Sequence, residues 1–304
     1  MRAELERDVL KGVSRSFYLS LRLLPAPMRR PAGIAYLLAR TSDTIADSAA
    51  IAAEDRLALL DRLAVQIFGD SEVAAFPRNL IEATPDPREK VLLEKFTDIL
   101  AALHGIESGV LGHIRQVVAI IISGQKLDLE RFGKAIPGEV VPLATEGDLD
   151  DYTWRVAGCV GEFWTKLGFE TLGSGFSKTP PDELLALGVD FGKGLQLVNI
   201  LRDLPKDLRM GRCYLPVGDP NDREELMRHF PNWLAVASQR MESGIAYSSR
   251  LRSKRLRMAS SLPAMIGKET LELMEGASWD KLEAGIRIPR HRVYSLLVHS
   301  LMVG

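Results

Sequence analysis

Apolar residues recur at helical spacing along almost the whole of this 304-residue chain. Leu57, Leu60, Ala64 and Ile67 fall on one face, as do Leu92, Phe96, Ile99 and Leu103, and then Val110, Ile114, Val117 and Ile121. That is the period of an amphipathic helix. The same pattern predicts helices over 149–169, 182–204, 233–257, 262–275 and 290–302, separated by Pro and Gly clusters. Nothing resembles a run of alternating strands. The expected fold is therefore all-α, a helical bundle that builds ligand sites in its core from side chains on facing helices. The Pro77 to Pro87 stretch is no longer than an ordinary interhelix loop, and no linker, low-complexity tract or repeat divides the chain. Residues 1–304 are accordingly expected to form one domain.

Two Asp-x-x-x-Asp motifs stand out against this apolar pattern: Asp43-Thr44-Ile45-Ala46-Asp47 and Asp203-Leu204-Pro205-Lys206-Asp207. Residues i and i+4 project from one helix face, so each motif offers two carboxylates side by side. In isolation such a pair is usually a solvated face. Here Asp43 and Asp47 end the apolar segment Ile34-Ala35-Tyr36-Leu37-Leu38-Ala39-Arg40, and Asp203 follows the apolar stretch from Leu195 to Arg202. Carboxylates in helices this apolar face an interior, where they need cations to stay ionised. Pro205 lies inside the second motif, and its missing N–H and bulky ring predict a kink or a helix end there, which makes Asp203 the firmer ligand and puts Asp207 on a distorted turn.

Facing acidic pairs suit magnesium, a hard cation that takes one or two carboxylates together with substrate phosphates and waters. Asn199 and Gln196 lie four and seven residues before Asp203, on the same stripe. Arg40 precedes Asp43 by three residues and Arg202 immediately precedes Asp203. Guanidinium forks fit diphosphate oxygens, although both arginines could simply neutralise the neighbouring aspartates. Ser14-Arg15-Ser16-Phe17-Tyr18 adds hydroxyls, a cation and rings, in a pattern that alone reads as a turn and helix start. On the helix from Tyr152 to Gly161, Gly158 and Gly161 cost helix stability and signal close approach by another helix or a ligand, with packing the simpler reading. Tyr152 is the better candidate for chemistry, because its phenol can handle a proton while its ring face steadies positive charge.

A formal net charge of -1 gives no support for a nucleic-acid partner. The run Arg250-Leu251-Arg252-Ser253-Lys254-Arg255-Leu256-Arg257 reads as a solvated helix face near a C-terminus, in preference to a contact with anionic lipid or a soluble anion. Two cysteines, Cys159 and Cys213, imply no disulfide framework and agree with a reducing compartment. The five histidines show no zinc-like spacing with them. The amino terminus is too acidic for a signal peptide, and the apolar runs at 117–122 and 293–303 are too short or too broken to span a bilayer.

In order along the chain, Ser14-Arg15-Ser16-Phe17, Tyr36 through Asp47, Tyr152 through Gly161, Gln196 through Asp207, and Gly211-Arg212-Cys213-Tyr214-Leu215-Pro216 resemble the motifs of the squalene and phytoene synthases, the head-to-head trans-isoprenyl diphosphate synthases. The resemblance covers nearly the whole chain. It implies the isoprenoid synthase bundle with a central apolar cavity, and an enzyme of the farnesyltransferase type. By position it implies that Asp43, Asp47, Asp203 and Asp207 hold Mg2+ with Asn199 nearby. Arg15, Arg40, Arg202, Arg212 and Tyr214 would contact diphosphate, with Ser14 and Gln196 completing the substrate-binding set. Gln125 and Asp128, in Gly124-Gln125-Lys126-Leu127-Asp128-Leu129, would lie beside the cavity. Tyr36 and Tyr152 would face the reacting allylic carbons beside Arg40, and Phe17 would belong to a flexible segment over the pocket.

Leu262-Pro263-Ala264-Met265-Ile266-Gly267-Lys268-Glu269-Thr270-Leu271 and Ile286-Arg287-Ile288-Pro289-Arg290 look more like the squalene than the phytoene synthases. The activity so implied joins two farnesyl diphosphates through presqualene diphosphate and reduces the product to squalene. NADPH is implied by that likeness alone, since the chain carries no Gly-rich dinucleotide fingerprint. Dehydrosqualene, hydroxysqualene or, from longer substrates, phytoene are the alternatives without reductant. A non-enzymatic assembly factor of the same fold is a further alternative, for which degraded acidic motifs are expected; both motifs are intact here. The resemblance implies a bacterial form in the cytoplasm without the membrane anchor of eukaryotic squalene synthases, and leaves peripheral membrane contact for product release open.

Overall fold

A computed structural model describes residues 5–14, 17–69, 74–134 and 139–303. The first half runs α1 Leu10–Ser14, α2 Phe17–Leu23, α3 Ala26–Ala46, α4 Ala53–Phe68, α5 Arg78–Ala83, α6 Pro87–Glu94, α7 Phe96–His104 and α8 Ser108–Phe132. The second half runs α9 Glu146–Thr153, α10 Cys159–Leu172, α11 Pro181–Arg209, α12 Arg223–Ser249, α13 Lys254–Met274, α14 Trp279–Ala284 and α15 Arg290–Val303. The apolar stripes do what their spacing predicts. Leu60 and Ile67 of α4, Phe96, Ile99 and Leu103 of α7, and Val110, Ile114, Val117 and Ile121 of α8 are buried in one core cluster. Local caps fix several starts: Asp86 accepts from the Arg88 N–H ahead of Pro87, Thr145 and Asp148 form a reciprocal capping box, and Asp222 accepts from the N–H groups of Glu224 and Glu225.

The helix predicted over 149–169 is divided. A wide π-helical turn at Trp154–Gly158 separates α9 from α10, and Ala157 in that turn and Gly161 just after it let α11 come very close. A Cβ at Gly161 would stand 1.8 Å from the Gly188 carbonyl oxygen, and one at Gly192 would stand 2.3 Å from that of Ala157. Packing therefore explains Gly161, while the inserted turn reorients the segment that follows Tyr152.

The helix predicted over 233–257 is also two. It begins earlier, at Arg223, and stops at Ser249, and α13 starts at Lys254. The basic run straddles this break and is not one solvated helix face. Arg250 donates to the Ala246 carbonyl and pairs with Glu183 at 3.2 Å, while Arg257 donates to the carbonyls of Leu251 and Arg252. Part of the charge is thus spent on orphan helix-end acceptors.

Pro205 neither ends the helix nor puts Asp207 outside it. α11 continues to Arg209 with Leu204 and Pro205 buried. Tertiary packing offsets the ~3 kcal/mol that a proline costs inside a helix. By length and composition α11 passes for a membrane span, yet half of its most apolar window is buried inside the bundle. Among the described residues, one short ladder forms that the sequence pattern did not show: β1 Val141–Pro142 pairs in parallel with β2 Arg212–Cys213. That ladder fixes the chain just after the second acidic motif.

Gly161→Ala is expected to lower Tm by at least ~6 °C, from an overpacking cost of ~3 kcal/mol or more at ~2 °C per kcal/mol. Gly112→Ala, on an exposed face of α8 where a Cβ meets nothing within 4 Å, is expected to hold or raise Tm. Thermal melts of the two variants check the contrast.

Candidate active site

Tyr36, Arg40, Asp43 and Asp47 lie at successive turns of α3, so one helix face carries all four. Asp47 is the residue that closes α3, its N–H donating to the Asp43 carbonyl at 2.8 Å. Arg40 pairs with Glu89 of α6 and stands 3.7 Å from the Asp43 carboxylate. From α8, Gln125 donates its amide to Asp43. Asp128, one turn further on, accepts from the Tyr214 hydroxyl at 2.7 Å.

The opposite wall is α11. Asn199, Asp203 and Asp207 follow one another at four-residue steps along a continuous helix, with Gln196 one turn earlier. Arg202 grips Asp203 with two hydrogen bonds of 2.9 and 2.7 Å, so this arginine does neutralise its neighbour. Arg212, delivered by β2, reaches across the site: it lies 3.4 Å from Asp207 and 3.7 Å from Asp128. It is also the foremost charged neighbour of Asp47. The two acidic motifs, 160 residues apart by their last members (207 minus 47), therefore share one cation.

Burial above all pushes the Asp43 carboxyl up to about 7, with Asp47 and Glu89 adding repulsion against the pull of Arg40 and Gln125. Burial likewise raises Asp207 to about 6, with Asp203 and Asp128 adding to it against Arg212 and Lys206. Asp47 and Asp128 are raised too, again chiefly by burial. Yet 44% of the Asp43 side chain is accessible to water. A strongly desolvated group that water still touches lines a recess rather than a convex surface. Buried Arg40 Nε, Gln125 Oε1 and Arg212 Nε have no hydrogen-bond partner among the described residues. Such orphans call for a ligand.

Among the described residues no three His, Cys, Asp or Glu side chains cluster tightly enough to hold a metal by themselves. The donor set is oxygen-only and arranged in pairs, which fits Mg2+ carried in with phosphate oxygens and waters.

Aromatic rings flank the charges. Phe17 stacks on Tyr36 at 5.4 Å and lies 6.3 Å from Trp164, and the Tyr36 hydroxyl donates to the Val13 carbonyl. Tyr152 stacks on Tyr214 at 4.8 Å, and Phe132 meets Tyr214 edge-on. Burial first, and then Asp128, hold the Tyr152 phenol well above its ordinary range. It is therefore a proton holder and hydrogen-bond donor at neutral pH, not a phenolate base. Ser14 is buried and its hydroxyl donates to the Leu10 carbonyl. Arg15 lies outside the described residues. Sequence reading missed Glu89 and Trp164. Glu89 sits in a short polar helix that nothing local distinguishes, and only its contact with Arg40 reveals it.

An all-α bundle with two acidic helix faces meeting across arginines is the isoprenoid synthase architecture, and solved structures share it. The protein overlays TcSQS, solved with the ligand BPH1237, at a TM-score of 0.80 with 23% identity, covering 98% of this chain and 86% of that one. It overlays the squalene synthase HpnC from Alicyclobacillus acidocaldarius at 0.62 with 19% identity, covering 90% and 92%. The chain belongs to the squalene/phytoene synthase family, whose sequence model matches residues 10–294. The family comprises head-to-head prenyltransferases. Relatives include a 15-cis-phytoene synthase from Synechocystis, 30% identical over 71% of this chain and 56% of that protein. A presqualene diphosphate synthase from Sinorhizobium fredii is 31% identical over 67% and 59%. A bifunctional lycopene cyclase/phytoene synthase from Phaeosphaeria nodorum is 27% identical over 88% of this chain and 40% of its own length. The chain thus spans between about two-fifths and three-fifths of these curated relatives.

With Asp43 and Asp207 raised above their unfolded value, the folded state binds more protons than the unfolded one between pH ~4 and ~7, so their contribution makes stability fall as pH rises through that window. Metal-free protein is expected to melt several degrees lower at pH 8 than at pH 5.5, and Asp43→Asn is expected to flatten this slope; melting curves at the two pH values check it.

Proposed function

We propose that the protein is a squalene synthase that joins two farnesyl diphosphates head to head in an Mg2+-dependent reaction. The observation that carries the reading is the shared Arg212, which ties Asp47 of the first acidic motif to Asp207 of the second around one recess. When bound, Mg2+ supplies charge neutralisation for a departing diphosphate. Asp43, Asp47, Asp203 and Asp207 would hold it with Asn199 close by, and Arg40, Arg202 and Arg212 would take diphosphate oxygens. The C1–O bond of the first substrate breaks, with its electron pair leaving on diphosphate. The C2–C3 double bond of the second substrate attacks that C1. Loss of a proton from the same C1 closes the cyclopropane of presqualene diphosphate, and released diphosphate is the base at hand, since Tyr152 is held protonated. Tyr36, Tyr152 and their ring partners steady the cations and exclude water, which would otherwise capture them as alcohols.

A second ionisation and rearrangement leaves a cation that takes hydride to give squalene. NADPH as the donor follows from the squalene synthase likeness. Two likenesses favour squalene: the overlay on the squalene synthase HpnC and the 262–271 and 286–290 segments. The phytoene synthase relatives favour a second reading in which geranylgeranyl diphosphate gives phytoene without reductant.

Incubation with farnesyl or geranylgeranyl diphosphate and Mg2+, with and without NADPH, followed by mass analysis, decides between them. Squalene from farnesyl diphosphate and NADPH is expected; phytoene formed preferentially from the longer substrate, or dehydrosqualene or an alcohol despite NADPH, rejects the choice. Asp43→Asn and Asp203→Asn are each expected to abolish turnover with unchanged helical circular dichroism. Glu89→Gln, which frees the Arg40 fork, is expected to lower kcat about tenfold or more, because a misplacement of about 1 Å in a positioning group can cost about 100-fold.

A further inference from the structure

Arg56, in the first turn of α4, is a cation that the acidic motifs do not announce. Its Nη1 donates to the Ala46 carbonyl at 2.7 Å, which fixes the guanidinium at the end of α3, beside Asp47. The bland explanation is a latch that caps a helix end. That uses one of five donors. The Nε is buried without a partner, and among the described residues Arg56 makes no ion pair, whereas Arg40 is paired with Glu89 and Arg212 with Asp128 and Asp207. Its charged neighbours are Asp47, Arg212 and Asp128. A half-buried guanidinium held near a second arginine, with no carboxylate of its own, is arranged for an anion that bridges the two cations.

We infer that Arg56 is a further substrate-binding residue, which with Arg212 clamps a diphosphate group on the Asp47 side of the recess. This rests on the prenyl diphosphate reading above. The ligand class is inorganic diphosphate or the diphosphate head of a prenyl substrate, and the two share their chemistry.

The test uses the full chain with Arg56→Gln and Arg56→Lys. Titration calorimetry with inorganic diphosphate and Mg2+ reports binding without turnover, steady-state kinetics with farnesyl diphosphate report KM and kcat, and thermal melts report the loss of the cap. Arg56→Gln is expected to weaken diphosphate binding and raise KM, each about tenfold or more, the scale of one charged hydrogen bond. Arg56→Lys, which keeps the charge and loses the fork, is expected to fall between the two. Unchanged diphosphate affinity and KM alongside a lowered Tm would assign Arg56 to the latch alone and overturn the inference. A wild-type protein that neither binds diphosphate nor turns over a prenyl diphosphate would overturn the functional reading itself, and Arg56 with it.

Discussion

Five carboxylates, Asp43, Asp47, Asp128, Asp203 and Asp207, sit in a recess where burial is the main force on four of them. Like charges so placed repel one another and lose hydration, so the fold must supply positive charge at close range or accept protons. It does both. Arg202 is spent on Asp203, Arg40 is divided between Glu89 and Asp43, and Arg212 is shared among Asp47, Asp128 and Asp207. The proton affinity left over at Asp43 and Asp207 measures how incomplete the balance is.

That shortfall explains the chemistry proposed for the site. In that proposal the carboxylates would take positive charge from a divalent cation and the unpaired guanidinium donors negative charge from diphosphate, each correcting what the other would leave uncompensated. The aromatic rings sit on the same elements as the charges: Tyr36 is one turn before Arg40 on α3, and Tyr214 lies two residues after Arg212. Charges and rings are therefore placed together, on α3 and at β2.

The surrounding architecture serves this placement. Glycine contacts bring α10 and α11 to backbone distance, the π-helical turn after Tyr152 takes up the extra length, and a two-residue parallel ladder holds Arg212 against the end of α11. α11 tolerates Pro205 because its flanks are buried, and so Asp207 stays in register with Asp203.

The helical class, the amphipathic faces and both acidic motifs with their arginines were legible in the chain, because helix periodicity and i to i+4 spacing are local properties that survive folding. Gln125, Asp128, Arg212 and Tyr214 came into view only through resemblance to a family, their local sequence being ordinary. Tertiary structure alone decided that Asp47 and Asp207 share Arg212, that Glu89 pairs with Arg40 and Arg56 lies at the end of α3 near Asp47, and that helices broke at Trp154 and Arg250 but not at Pro205. Each of those depends on contacts between residues tens to more than a hundred positions apart, or on packing that outweighs a local propensity of a few kcal/mol, and neither is written in a window of neighbouring residues.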